Sequence, residues 1–300
     1  MIESDVAPPQ TDHAASETRP LFTLTEPSTG ETPLVVEVPH AGIDVPPAYL
    51  ASLVAPARSI GRDADLYVDD LYADAPFEGA TLLVAHTSRY VLDLNRGEGD
   101  LDADTVLGGP TNGARMPRGL IWRLTTDGDP ALARPLTAAD VEARLHAVHR
   151  PYHAALLAAL ERKKAKFGYA VLLAAHSMPS VGRSGPEGSA RRGLLGGAGA
   201  ARADVVPGTH GRTTAAACFI DAVDAHARAQ GFSVRHDDPY KGGFTTRHYG
   251  VPAARVHAVQ IELARRLYMD ETTLLRSRAF DVVRRWCRAL VVKLGQTALR

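Results

Sequence analysis

The chain is short of the features that would place it in several common classes. It has only two cysteines, Cys218 and Cys287, far apart and each inside an apolar helical pattern. That context suits buried thiols rather than a bridge or a pair of metal ligands. No apolar run approaches the roughly 20 residues of a membrane span. Charge of one sign is not in excess: 34 basic residues face 34 acidic ones, for a formal net charge of zero. No dense basic stripe stands out, so nucleic acid is not an expected partner. The arginine-rich stretch from Arg276 to Arg288 reads as the solvated face of a helix. The opening residues Ile2-Glu3-Ser4-Asp5 lack the charged-then-apolar order of a secretion signal. A cytoplasmic location is therefore the expectation.

Several catalytic signatures are missing too. There is no HExxH helix for zinc. Ser177 lacks the Gly-x-Ser-x-Gly elbow of a nucleophilic serine. The glycines between Gly193 and Gly199 fit neither a phosphate-binding loop nor a dinucleotide fingerprint. No internal repeat is visible, and nothing in the sequence fixes an oligomeric state.

What is present alternates between strand and helix patterns. Residues 1–20 are polar and aperiodic, as in a mobile tail. Residues 21–300 read as a single α/β domain, long enough to bury a full core. Leu34 to Val38 is a short β-branched run, closed by Pro39, which has no N–H for a ladder. Tyr169 to Ala175 and Val256 to Ile261 are further apolar runs, and Thr81 to Ala85 is another strand. Their hydrophobicity is continuous rather than alternating, as in strands buried on both faces. Leu21 to Leu24 reads as an edge strand and Pro47 to Leu50 as a short helix.

Asp63 to Tyr72 has helical spacing, with Tyr67/Leu71 and Val68/Tyr72 as apolar pairs. Arg89 to Arg96 reads as a strand with Arg89, Val91, Asp93 and Asn95 on one face. Gly119 to Arg123 and Phe232 to Arg235 read as short strands. Thr137 is an N-cap with Asp140 near N3, opening a helix toward Lys166 that Pro151 should kink or divide. Residues 181–211 are rich in Gly, Ser and Arg and long for a connection, so a flexible or site-covering loop is expected. Thr213 to Gln230 and Asp270 to Leu294 are amphipathic helices. The pattern as a whole predicts a sheet between layers of helices.

Three of these runs deliver chemistry at their C-terminal ends, where open α/β sheets bind ligands. His40 follows the first, His176 the second and Glu262 the third. A hydrolytic zinc takes about three protein ligands and leaves a position for water. A carboxylate that is not a ligand can take the water's proton. Spacing alone leaves Glu262 open as either base or ligand. Arg89, Arg96, Arg123 and Arg247 lie in short strands or turns rather than on helix faces. Arginine grips carboxylates through paired N–H···O bonds, which suits a small dicarboxylate. Each can equally serve a structural ion pair, such as Arg96 with Asp93.

Beyond these residues, the sequence resembles the N-formylglutamate amidohydrolase family over residues 34–275. The resemblance rests on Val38-Pro39-His40-Ala41-Gly42, on Asp63-Ala64-Asp65-Leu66-Tyr67-Val68-Asp69-Asp70-Leu71-Tyr72, and on Ser88 through Arg96. It continues through Gly119-Leu120-Ile121-Trp122-Arg123, His149-Arg150-Pro151-Tyr152-His153 and His176-Ser177-Met178-Pro179. It ends on Pro239 through Phe244 and on Gln260-Ile261-Glu262-Leu263. Single pieces are weak, but their number and order are specific.

The resemblance implies a mixed, largely parallel sheet flanked by helices, like that of zinc carboxypeptidases and aspartoacylases. It implies a zinc-type ion held by His40, His176 and a carboxylate, with Glu262 as general base. The position three after the first histidine, where carboxypeptidases carry Glu, is Ile43 here. Asp65 is then the preferred third ligand, ahead of Asp63 and Asp44. Asn95 and Arg96 match a substrate-carboxylate clamp, joined by Arg247, and Arg123 or Arg89 would face the oxyanion. The expected reaction is hydrolysis of N-formyl-L-glutamate to formate and L-glutamate, in histidine degradation. The alternatives are a deacylase for N-acetyl or N-succinyl acidic amino acids, or a non-catalytic binder of acidic ligands. The partner in each case is a small acidic N-acyl amino acid. The Gly/Arg-rich stretch from Arg183 to Arg202 lies outside the resemblance.

Overall fold

The computed structural model describes residues 19–28, 30–108, 115–182 and 199–299. Most of the expected N-terminal tail, and residues 183–198 of the expected loop, lie outside the described residues. In chain order the elements are β1 (Phe22–Thr25), β2 (Leu34–Val38), α1 (Pro47–Leu50), α2 (Ala57–Asp63), α3 (Val68–Leu71) and β3 (Thr81–Ala85). Then come α4 (Ala138–Arg144), α5 (Arg150–Phe167), β4 (Ala170–Met178), β5 (Val205–Gly208), α6 (Ala217–Ala229), α7 (Phe244–Tyr249), β6 (Val256–Ala264) and α8 (Phe280–Gln296).

The six strands form one sheet in the order β1-β3-β2-β4-β6-β5. The central four run parallel, and the edge strands β1 and β5 pair antiparallel. Strands β2, β3, β4 and β6 are buried at every position, so both faces must be covered. On one face Leu34, Val36, Val38, Leu173 and Ile261 pack against apolar residues of α3, α6 and α8. On the other, Val35, Leu172 and Ala258 meet Leu145, Tyr152, Leu156 and Leu160 of the α4–α5 region. Each fully buried Val or Leu contributes about 1.5–3 kcal/mol, and this two-sided burial fixes the register of the strands. No helix among the described residues is long and apolar enough to cross a membrane.

Some expected elements differ. The segment Asp63–Tyr72 is not one helix. Ala64 is extended and Tyr67 left-handed (φ 67°), which separates α2 from α3. The Asp65 N–H bonds to the carbonyl of His40 at 2.9 Å instead of closing a helical turn. Residues 88–96 form a chain of turns, not a strand. Residues 119–123 and 232–235 make only isolated bridges. Strand β5 lies within the stretch read as loop. The last helix begins at Phe280, ten residues after Asp270.

Thr137 and Asp140 form a reciprocal capping box. Before Pro151 the helix widens into a π-turn, Leu145–His149. The proline has no N–H to donate, and its ring crowds the preceding turn. Gly168, at φ 77°, ends α5.

Candidate active site

The parallel register brings the polar residues to one level. His176 of β4 is the Cα partner of Glu262 in β6, and Ala174 is the partner of both Glu37 and Gln260. Strand alternation puts Glu37, His176, Gln260 and Glu262 on the same face. Two strand ends differ from the sequence reading. Strand β4 continues through His176 to Met178, and β6 runs past Glu262 to Ala264. His40 follows β2 after Pro39. Behind it the chain passes so close to His86 that a Cβ on Gly42 would sit 2.3 Å from that backbone.

His40, Asp65 and His176 form a buried cluster whose possible ligand atoms all lie within 4.8 Å of one another. Asp65 Oδ2 is 3.0 Å from His176 Nδ1 and 3.6 Å from His40 Nδ1. His40 Nε2 donates to Asp93 Oδ1 at 2.8 Å, so its Nδ1 presents a lone pair to the Asp65 carboxylate. Two acceptors facing each other in a buried site call for a cation between them. The donor set, two imidazoles and a carboxylate, is that of a hydrolytic zinc site. Burial alone would raise the Asp65 carboxyl. The adjacent imidazole of His176, 3.0 Å away, outweighs it and holds Asp65 well below the usual carboxylate range. Of the three carboxylates open as third ligand, Asp65 alone meets the histidines. Asp63 accepts from Tyr90 Oη at 2.5 Å and from Thr126, while Asp44 pairs with Arg19.

A second layer fixes these groups. Asp93, fully buried, accepts from Arg89 Nη2 (2.7 Å), Trp122 Nε1 (3.0 Å) and the Asn95 N–H (2.9 Å), besides His40. Burial would raise its carboxyl, but Arg89 and His40 hold it well below the normal value. Arg265 Nη2 donates to Asp65 Oδ1 at 3.2 Å and to the carbonyl of Ala64 at 2.7 Å. Outer partners of this kind set the orientation of ligand side chains.

Glu262 stands across from His176. Burial pushes its carboxyl up to about 7, His176 pulls it down, and Asp65 pushes it up. Gln260 ties it to the segment at Gly243. Gln260 Oε1 must be the oxygen, because the Gly243 N–H donates to it at 2.7 Å, so Nε2 donates to Glu262 Oε1 at 2.8 Å. Asn95 is locked in the same way. Its Oδ1 accepts from the N–H and the hydroxyl of Thr245 at 3.0 and 3.2 Å, which turns Nδ2 toward His176 Nε2 at 3.3 Å.

Gly243 makes this contact possible: a Cβ there would lie 2.1 Å from Asn95 Nδ2. Gly243→Ala should therefore push the Asn95 amide out of place and lower kcat/KM at least tenfold, since small misplacements are costly. Steady-state kinetics on a variant with a wild-type melting temperature checks this.

The sequence-predicted arginines separate. Arg89 is half-buried beside Asp93, over the Trp122 ring at 4.3 Å. Half-buried Arg96 lies back on the carbonyls of Asn95 (2.9 Å) and Arg118 (3.4 Å). Arg123 is instead paired with Asp102 (3.1 Å) and Asp104 (3.5 Å). Arg247 is exposed on α7. Neither Arg123 nor Arg247 is part of the buried cluster. Sequence reasoning missed Gln260, Arg265 and Glu37. Gln260 had a usable signal, because it lies two residues before Glu262 on the same strand face. Glu37 is hidden in an apolar run, and burial pushes its carboxyl up to about 7.

A mixed α/β sheet gathers these groups toward the C-terminal ends of its parallel strands, and comparison with known proteins places the chain among hydrolases acting on an amide bond. The N-formylglutamate amidohydrolase family matches residues 32–269, and the chain belongs to that family. It is 38% identical to the N-formylglutamate deformylase of Pseudomonas aeruginosa over 253 residues, covering 83% of this chain and 87% of that protein. The N-formylglutamate deformylase of Pseudomonas putida is 36% identical over 245 residues, covering 81% and 84%. The crystal structure of N-formylglutamate amidohydrolase from Ralstonia eutropha JMP134 superposes with a TM-score of 0.79 at 33% identity, covering 92% of this chain and 97% of that one.

Proposed function

We propose that this protein hydrolyses N-formyl-L-glutamate to formate and L-glutamate, as a cytoplasmic step of histidine degradation. The observation that carries the reading is the continuity of the site. Gln260 joins Glu262, beside the His40–Asp65–His176 cluster, to Gly243 at the Asn95 clamp. Chemistry and carboxylate recognition are thus held in one frame.

His40, Asp65 and His176 would hold one zinc-type divalent ion. When bound, such an ion supplies Lewis acidity toward the formyl oxygen and acidifies a water. Glu262 takes the proton from the attacking water and passes it to the amide nitrogen as the C–N bond breaks. Gln260 occupies one Glu262 oxygen, so the other is the one to serve as base. Arg89 adds positive charge beside the cluster. Its donors to Asp93 and to the Asp63 carbonyl make it a fixed charge that stabilises a developing oxyanion. Asn95 and Arg96 would hold a substrate carboxylate, with Arg247 at the exposed end of the same region.

Parallel assays on N-formyl-, N-acetyl- and N-succinyl-glutamate test the substrate. The formyl compound should be hydrolysed with a kcat/KM at least tenfold above the others, as expected for a member of the N-formylglutamate amidohydrolase family. Faster hydrolysis of the acetyl or succinyl compound would reassign the enzyme to another N-acyl acidic amino acid. No turnover of any of them would favour a binding protein.

A further inference from the structure

Two histidines of the α4–α5 region stand apart from the cluster, yet both end on the turn that carries Asn95 and Arg96. His149 closes the π-turn, and His153 lies one helical turn later. His149 Nε2 is 2.9 Å from the main-chain oxygen of Arg96, and His153 Nε2 is 3.1 Å from that of Leu94. A carbonyl oxygen only accepts, so each Nε2 carries the proton. That leaves His153 Nδ1 as an acceptor, and the Tyr249 hydroxyl of α7 donates to it at 2.9 Å. The two imidazoles lie 4.1 Å apart between centroids, a poor place for two charges. Burial lowers both, pushing His153 down to about 3.

Other elements hold the rest of the turn. Asp93 takes the N–H of Asn95, and Thr245 of α7 takes its side-chain oxygen. The two carbonyls flanking Asn95 are therefore the handles assigned to α5. Tyr249 links that hold to the same short helix that grips the Asn95 amide. The π-turn sits at the point where α5 must present both rings to one turn, and such bulges recur at functional sites.

We infer that His149 and His153, with Tyr249, are positioning residues for substrate recognition, fixing the carbonyls of Leu94 and Arg96 and so the direction in which Asn95 and Arg96 meet a substrate carboxylate. The inference rests on the reading of Asn95 and Arg96 as a carboxylate clamp. None of the three positioning residues needs to touch substrate.

The test measures kcat/KM on N-formylglutamate and on its two mono-amides, N-formylglutamine and N-formylisoglutamine. The wild-type protein should disfavour the mono-amide that lacks the clamped carboxylate. His153→Leu should shrink that preference by roughly tenfold, about what one well-placed hydrogen bond is worth, chiefly through a higher KM for the diacid. His153→Gln can still donate to the Leu94 carbonyl and should restore most of the preference. Tyr249→Phe keeps the ring and should show a smaller loss in the same direction. A purely structural role lowers activity on all three compounds in proportion. An unchanged preference in folded His153→Leu, or in Tyr249→Phe should the leucine variant not fold, overturns the inference. A wild-type protein with no preference among the three compounds removes the clamp reading, and the inference with it. That failure is visible before any variant is made.

Discussion

Glu262→Gln is expected to lose on the order of 10²- to 10⁴-fold in kcat, with KM and the melting temperature near wild type. Glutamine has almost the same shape as glutamate. Its side-chain oxygen can still accept from Gln260 Nε2, which lies 2.8 Å from Glu262 Oε1. It cannot accept a proton from water. The fold should not suffer, because the wild-type carboxyl is buried at a cost large enough to raise it to about 7. A neutral amide in that place removes a buried charge rather than adding one. Metal content should also persist, since Glu262 lies outside the cluster of His40, Asp65 and His176. Kinetics and metal analysis on the same preparation decide the matter. A near-normal kcat would remove Glu262 as the base. A lost ion would make it a ligand and reopen the place of Asp65.

How far the sequence reached is clearest at the strand ends. The runs that became β2, β4 and β6 were legible because parallel strands covered on both faces leave uninterrupted apolar stretches. His40 could be placed because Pro39 stops the run just before it. His176 and Glu262 were placed at strand ends although both strands continue past them. A polar side chain inside a strand looks the same in sequence as one just beyond it. The register then supplied what the sequence lacked, setting His176 opposite Glu262.

The turn-rich segments were harder to read. Asp63 to Tyr72 keeps helical spacing, but the His40 carbonyl takes the Asp65 N–H, and His176 and Arg265 take its carboxylate. Those tertiary bonds outweigh the helical preference of ten residues. Residues 89–96 alternate like a strand, yet the buried Asp93 collects Arg89, Trp122, His40 and the Asn95 N–H. A strand would have spent the Asn95 N–H on a ladder. Arg265 gains its meaning only from a partner that is distant in sequence, since it meets Asp65 across 200 residues. Arg123 shows the opposite error. It sits beside Trp122, which does reach Asp93, but its own side chain turns to Asp102 and Asp104. Adjacent residues in an extended segment point to opposite sides.

The purified protein is expected to carry about one zinc-like divalent ion per chain, and His40→Ala and His176→Ala should each lose it. The Nε2 of His40 is committed as a donor to Asp93, whose carboxyl stays ionised because Arg89 and His40 outweigh its burial. The Nδ1 of His40 is then a lone pair at 3.6 Å from Asp65 Oδ2, and Asp65 is itself kept ionised by its neighbours. Arg265 neutralises the far oxygen of Asp65 but does not stand between Oδ2 and His40. The arrangement therefore lacks a positive charge at the point where the three side chains meet. Removing one imidazole leaves two ligands, too few for a hydrolytic site of this kind. Asp93→Asn keeps all three ligands but weakens the hold on His40, and should lower metal affinity about 10- to 100-fold. Elemental analysis after dialysis, with the wild-type protein alongside, separates these cases. Full occupancy in both alanine variants would place the metal elsewhere. Loss in the alanine variants with a graded loss in Asp93→Asn would show that the carboxylate behind His40 tunes the site without touching the ion.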